Sequence, residues 1–407
     1  MRDTKLRFRN IFMSVYILAI IALLVLPMLK YSVRYIPIIL FTVPFVAVYM
    51  LKKRKSAIVF FGFLMTLVSF FVFNFLVNTP LNINASINMS ILLYLCFISF
   101  FIFDYLANSD SVWEIRLVII GTVAIFVFVM IMTSIAFIED PTIARSLASG
   151  RTDDEYINSM RMQNVGGFGF SYAVGMFIPY IAIRIVRSTG KIRFVFIALY
   201  IALFMYALFC QYTTLLFVAI AFSTVIFIWG SKNALTKSIL LFVSLLVLIN
   251  LTGIFKFLGN HIPFTSLAYH LKNLYISMST GEETNSRLLA AKRCIGLFRR
   301  NPFFGANLLD SYNSYIVNHG HSTYFGILAS NGIAGLSIQL FVTVAIVRSI
   351  YLKTNANKMI IVLFIMYIVL GFLNPTHNAF EISVAVFLLI PLIEFYENKI
   401  KGQKYAE

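Results

Sequence analysis

Charge is what this chain has least of: aspartate, glutamate, lysine and arginine together make up 12% of it, against 60% hydrophobic residues. A mean hydropathy of +0.87 over 407 residues leaves too little polar surface for a soluble domain. Cysteine is nearly absent. The three present, Cys96, Cys210 and Cys294, show neither a pairing framework nor a metal-type spacing. Internal repeats of the kind many transporters carry are not visible. The alternating pattern of an outer-membrane barrel is missing too.

What the chain has instead is long apolar runs from end to end. Twelve are long enough to cross a hydrocarbon core about 30 Å thick, at approximately 11–29, 35–51, 56–77, 89–107, 117–138, 166–183, 194–209, 213–229, 238–256, 323–347, 359–373 and 379–395. Backbone polar groups in lipid must be satisfied internally, so these runs predict helices. The fold expected is an all-α polytopic membrane protein. Arg2, Lys5, Arg7 and Arg9 before the first run suggest a signal peptide, but Ile11–Leu29 is too long and Lys30-Tyr31-Ser32 offers no small-residue cleavage site. A retained first helix is the better reading.

Placement of lysine and arginine predicts the orientation. With the amino terminus inside, 21 of the 33 fall in inner segments and five in short outer loops; the other seven lie in one long outer loop. Both termini are therefore expected in the cytoplasm. The net charge of +17 is then largely a collar facing anionic headgroups. No basic region outside the membrane is large enough to hold nucleic acid. Three regions follow: 1–256 with nine helices and an outer loop at 139–165, 257–322 as a large extracytoplasmic loop with short amphipathic helices, and 323–407 with three more helices and a cytoplasmic tail.

Polar chemistry gathers on the expected outer side. All five histidines (His261, His270, His319, His321 and His377) fall in outer segments or at their edges. For His261 and His270, capping a helix or solvating a loop is the simpler reading. From Arg287 to Arg300 the apolar positions Leu288, Ala291, Ile295 and Phe298 share one helical face. Lys292 and Arg299, like Arg293 and Arg300, recur seven apart on the other side. Asn285 or Ser286 opens this helix and Asn301-Pro302 stops it. Such a helix lies in the headgroup plane with its cations towards water or phosphate. Arg287 differs in standing at the first turn, just after Glu282-Glu283, and its guanidinium offers a bidentate fork suited to phosphate oxygens.

His321-Ser322-Thr323 stands where the long loop becomes a helix. Amides at a helix start carry partial positive charge and favour a neutral imidazole, which is what a general base requires. A capping histidine with no chemistry fits the same position equally well. His377, in Asn374-Pro375-Thr376-His377, lies at the mouth of the last two spans and is either a sugar-orienting group or a polar cap. Glu381, a turn later, reads as a carboxylate that snorkels outward. A zinc site built on His319 and His321 lacks a thiolate or carboxylate at metal spacing.

The run from His321 to Phe325, with Gly332-Ile333-Ala334-Gly335 beyond it, resembles a signature of the O-antigen ligase and Wzy polymerase superfamily. That signature is a histidine, then asparagine or serine, two residues and a leucine, followed by G-x-x-G; Phe325 stands here for the leucine. Ser286-Arg287 followed by Asn301-Pro302-Phe303-Phe304-Gly305 resembles the same family's upstream element at matching spacing. Arg161 to Gly166, running into a span, resembles its arginine and asparagine before a middle helix.

The resemblance implies an inverting glycosyltransferase of the bacterial cytoplasmic membrane, using no nucleotide sugar, cofactor or essential metal. The donor would be a glycan on undecaprenyl diphosphate at the outer face. His321 and Arg287 are the implied catalytic residues, as base and diphosphate clamp. Arg161 is the implied second cation, and Lys292, Arg293 and His377 are the further substrate-binding candidates beside it. The product is a capsule, exopolysaccharide or O-antigen chain, and flippase and chain-length regulator proteins are the implied partners. Two alternatives stay open: a ligase of the same family, differing only in acceptor, and a flippase or transporter. Transport predicts charges near mid-membrane and matched broken helices, and only Asp104, near a span's inner end, comes close.

Overall fold

The computed structural model describes residues 2–33, 35–52, 83–109, 111–149, 154–280, 286–306, 316, 321–354, 358–376 and 379–404. The expected span at 56–77, His319 and His377 lie outside the described residues. Helix dominates, and no strand occurs among the described residues.

The first half of the chain forms α1 (Arg2–Val25), α2 (Pro27–Ser32), α3 (Tyr35–Lys52), α4 (Ile83–Ala107), α5 (Val112–Glu139), α6 (Ile143–Ser149), α7 (Asp154–Met162) and α8 (Phe168–Arg187). Next come α9 (Gly190–Phe209), α10 (Thr213–Gly230), α11 (Ala234–Ile249), α12 (Leu251–His261), α13 (Thr265–Thr280) and α14 (Ser286–Arg300). The last part holds α15 (Thr323–Thr354), α16 (Ile360–Leu373) and α17 (Phe380–Ser383), which continues through a π-helical stretch, Val384–Leu389, into α18 (Ile390–Lys404).

Among the described residues five helices are long and apolar enough to cross a membrane: α5, α8, α9, α10 and α15. The pair α11 and α12 makes a sixth if its 75° bend is read as a broken span. That bend, at Asn250, interrupts the continuous run expected at 238–256, and α12 runs across the boundary expected at 256. Shorter apolar helices fill Asn10–Val25, Pro37–Met50, Phe97–Ala107 and Ile360–Leu373. An all-helical polytopic membrane protein is the class these elements define.

Burial shows how the apolar helices divide their faces. In α5, Val118, Thr122, Phe126, Val129, Thr133 and Ala136 are buried at three- and four-residue spacing, whereas Val123, Val127, Ile131 and Ile135 are exposed. The first stripe packs inward and the second is the face suited to lipid. Buried on nearly every side, α8 lies at the centre, packed against α9, α10 and α17. At the other extreme, α11 buries none of its residues.

Two polar seams hold the ends of the bundle. At one end, Arg184 and Arg187 of α8 both reach the buried Glu394 of α18, at 3.4 and 2.8 Å, and Arg184 also grips Glu397 at 2.5 Å. Nearby, the buried Asp104 accepts from Tyr49 at 2.8 Å and pairs with Lys353. The opposite end carries Lys30, Glu381, Asn374, Arg161 and His321, and it is here that the candidate site is built.

Candidate functional site

Helix α14 lies along the start of α15. Its buried face is centred on Cys294 and Leu297, which cluster with Ala306, Ile316 and Ala329, with Phe325 against them. The apolar face expected from the sequence is not this one: Leu288 is 48% exposed and Ala291, Ile295 and Phe298 are only half-buried, because the helix is rotated so that Cys294 and Leu297 turn towards α15. Lys292, Arg293, Arg299 and Arg300 are exposed. Arg287 occupies the second position of α14. It stands seven residues before Cys294, about 10 Å along the axis, and its side chain is outside what the structure describes.

After Arg300 the chain turns back and joins a break in α15. Asn301 accepts from the Gly305 amide at 2.9 Å, closing the turn. Helix α15 is interrupted at Gly332, whose φ of 63° and ψ of −164° are not helical. The turn supplies the missing partners: Ile333 donates to Pro302 at 2.9 Å, Ala334 to Phe303 at 3.3 Å, and Ala306 to Ala329 at 2.8 Å. A break inside an apolar helix would otherwise strand amides and carbonyls away from water. The approach needs glycine on both sides. A Cβ on Gly305, at φ +84°, would meet the Ser330 carbonyl carbon at 2.2 Å, and one on Gly332 would meet that of Phe303 at 2.4 Å. The two halves of the motif read from sequence are thus joined backbone to backbone.

One turn before Phe325 stands His321. It is exposed and has a φ of 50°, the left-handed region that non-glycine residues rarely occupy. The helix cap is Ser322, not the histidine. Its hydroxyl accepts from the Phe325 amide at 3.2 Å and donates to the Gly371 carbonyl at 3.1 Å. His321 therefore stands outside the helix start, with the capping task already taken.

A second lip faces it. The Asn374 carbonyl accepts from the Thr323 amide at 3.2 Å and from its hydroxyl at 3.3 Å, and the Thr323 and Thr376 hydroxyls lie 3.2 Å apart. The segment 321–323 is thereby latched to 374–376. Among the described residues, the buried polar atoms at this end without a partner include Asn374 Nδ2 and Glu381 Oε2.

Glu381 does not snorkel. It is 4% exposed, and Lys30 pairs with its Oε1 at 2.8 Å. Its other oxygen lies where a Cβ on Gly169, in the first turn of α8, would come to 2.5 Å. Lys30 also stands 5.4 Å from the centre of the Tyr31 ring, and the Arg161 guanidinium lies 4.0 Å over the same ring. Arg161 Nε is buried without a partner. Asn164, at φ 61°, accepts from the Met28 amide at 3.1 Å and so fixes the end of α7 against α2. The structure thus brings Arg161 onto the Tyr31 ring that Lys30 also approaches, a neighbourhood that local reading of the sequence does not reveal.

The remaining histidines have separate surroundings. His261 Nδ1 donates to Phe257 at 2.8 Å and its ring stacks on that phenylalanine. His270 contacts Arg145, which also donates to the Gln211 carbonyl at 3.0 Å. Burial pushes the Cys294 thiol up to about 11. Among the described residues no group of three or more histidine, cysteine or acidic side chains is arranged to hold a metal ion. Comparison with known protein families and with characterised proteins finds no match to this chain.

Proposed function

We propose that this protein is a polysaccharide polymerase, joining undecaprenyl-diphosphate-linked oligosaccharide repeat units on the outer face of the bacterial cytoplasmic membrane. The full arrangement in this reading has twelve spans, both termini in the cytoplasm, and the His321 end outermost. The observation that carries it is the docking of the Asn301–Gly305 turn onto the Gly332 break. That contact ties the helix bearing Arg287 to the helix that starts beside His321, as one reaction site requires.

The step is a single displacement. The imidazole of His321 takes the proton of an acceptor sugar hydroxyl, and that oxygen bonds to the anomeric carbon of the donor glycan. The bond from this carbon to the diphosphate oxygen breaks, undecaprenyl diphosphate departs, and the configuration inverts. A positioned base supplies about 10²–10⁴-fold. Stabilising the charge that grows on the leaving diphosphate is the larger effect, and Arg287 carries it, with Arg161, Lys292 and Arg293 as further cations along the approach. His377, which follows the latched Thr376 in sequence, orients the acceptor. The apolar helices suit a lipid bilayer, and flippase and chain-length regulator proteins are the partners that deliver units and set chain length.

The test is the glycan profile of cells carrying His321→Ala at normal abundance. Single lipid-linked units without longer chains are expected, and a persisting ladder overturns the assignment. Long chains retained on undecaprenyl diphosphate identify a ligase instead, and units trapped on the inner leaflet identify a flippase.

A further inference from the structure

The Lys30–Glu381 pair joins residues 351 positions apart, and both side chains are buried. Such a contact is costly to bury, and its contribution to bare stability is weak compared with apolar packing of the same volume. Glu381 lies in the first turn of α17, and its Oε2 faces Gly169 in the first turn of α8. Two helix starts and an ammonium therefore converge on one carboxylate.

From Glu381 an unbroken series of backbone contacts leads to the candidate base. Ile382 donates to Ala379 at 3.1 Å, Ala379 to Thr376 at 3.1 Å, and Thr376 to Asn374 at 2.9 Å. Asn374 and Thr376 hold Thr323, two residues after His321. We infer that Lys30 and Glu381 are a positioning pair, pinning residues 374–376 and 379–380 to α2 and α8 and so fixing where His321 stands. The inference rests on the reading of His321 as the base. Neither residue acts on the substrate: both act through the turn. The left-handed backbone of His321 gives this pin its purpose, because a strained conformation persists only where its neighbours over-determine it.

The geometry is tested without relying on turnover. In a chain with Cys96, Cys210 and Cys294 replaced by alanine, His321→Cys is labelled with a hydrophilic maleimide in purified, detergent-solubilised protein. Glu381→Gln, Lys30→Met and the double variant Lys30→Met/Glu381→Met are each expected to change that rate by about fivefold or more, the effect of loosening a local contact. A cysteine at Gly296, where nothing lies within 4 Å of the Cβ position, is expected to label at an unchanged rate. The double variant leaves no unpaired charge, so it stays measurable if a single variant fails to fold. An unchanged rate at position 321 in the double variant overturns the positioning role, whatever the activity. In the polymerisation assay the same variant is expected to lower kcat by about 10²-fold with KM little changed, the signature of a misplaced group. A wild-type kcat overturns the role equally. His321→Ala alone tests the base, so the two readings fail separately.

Discussion

Gly305 and Gly332 pack backbone against backbone, each in the left-handed region and each beside the peptide next to the other. Neither has room for a methyl group. The joint they form ties the end of α14 to the break in α15, and its disruption has a defined consequence.

Gly305→Ala and Gly332→Ala are each expected to destabilise the protein by more than about 1–3 kcal/mol, since backbone strain at positive φ adds to a direct clash with main chain. Gly296→Ala is the control. That glycine is helical, with open space at its Cβ position, and alanine there is expected to stabilise by about 0.5–1 kcal/mol. Thermal unfolding in detergent separates the three. Equal midpoints would mean that the turn does not dock on the break.

Ser322→Ala removes a helix cap and a hydrogen bond to Gly371 together. The expected cost is about 1–2 kcal/mol, with the start of α15 exchanging its amide hydrogens faster. Ser322→Thr keeps both contacts and is expected to stay near the parent. Hydrogen exchange over residues 322–326 is the measurement.

Arg287→Lys keeps the charge but loses the fork. If Arg287 grips a diphosphate, the lysine variant is expected to lose most of its polymer-forming activity at normal abundance, because one ammonium cannot reproduce a bidentate contact. Full activity of that variant would make Arg287 an ordinary surface cation.

Cys294 gives a pH prediction. Burial raises its thiol to about 11, so the folded protein keeps it protonated at neutral pH and thiol reagents are expected to react slowly with it. An unfolded chain ionises the same thiol from about pH 8.5 upward. Its contribution to stability is therefore full below that value and is lost as pH rises towards 11. The unfolding midpoint of the parent is expected to fall faster over this interval than that of Cys294→Ala; parallel curves would contradict the burial.

Much of the architecture was readable from local pattern. Apolar runs of about 20 residues mark α5, α8, α9 and α10 to within a few residues, because lipid leaves the backbone no other way to satisfy itself. The start and end of α14 followed from Ser286 and from Asn301-Pro302. The breaks were hidden. Asn250 and Gly332 sit inside runs that stay apolar on both sides, so hydropathy continues across them, and the partners that stabilise the Gly332 break come from a turn some thirty residues earlier.

The site divides along the same line. His321, Ser322 and the glycines belong to a short segment whose types alone suggested a helix start, although only the geometry assigns the cap to Ser322. Glu381 looked like a carboxylate free to reach water, and its partner Lys30 like one more cation of a short outer loop. No local signal links them. Arg161 was noticed for its own sequence context, whereas its stacking on Tyr31 beside Lys30 depends on how α7 meets α2.

The π-helical stretch Val384–Leu389 has a bearing on how this last helix works as a single rod. Glu381 meets α8 at Gly169, and Glu394 meets it at Tyr180 and Arg184. At 3.6 residues per turn, two positions 13 apart would point about 140° away from each other. The wider loop slows the winding and trims that divergence by only about 20–30°, so the two acids reach α8 from different sides of the rod. Deleting a single residue from 384 to 389 would let an ordinary helix run through with the acids 12 apart, about 120° around the axis, so both anchorages would survive the loss.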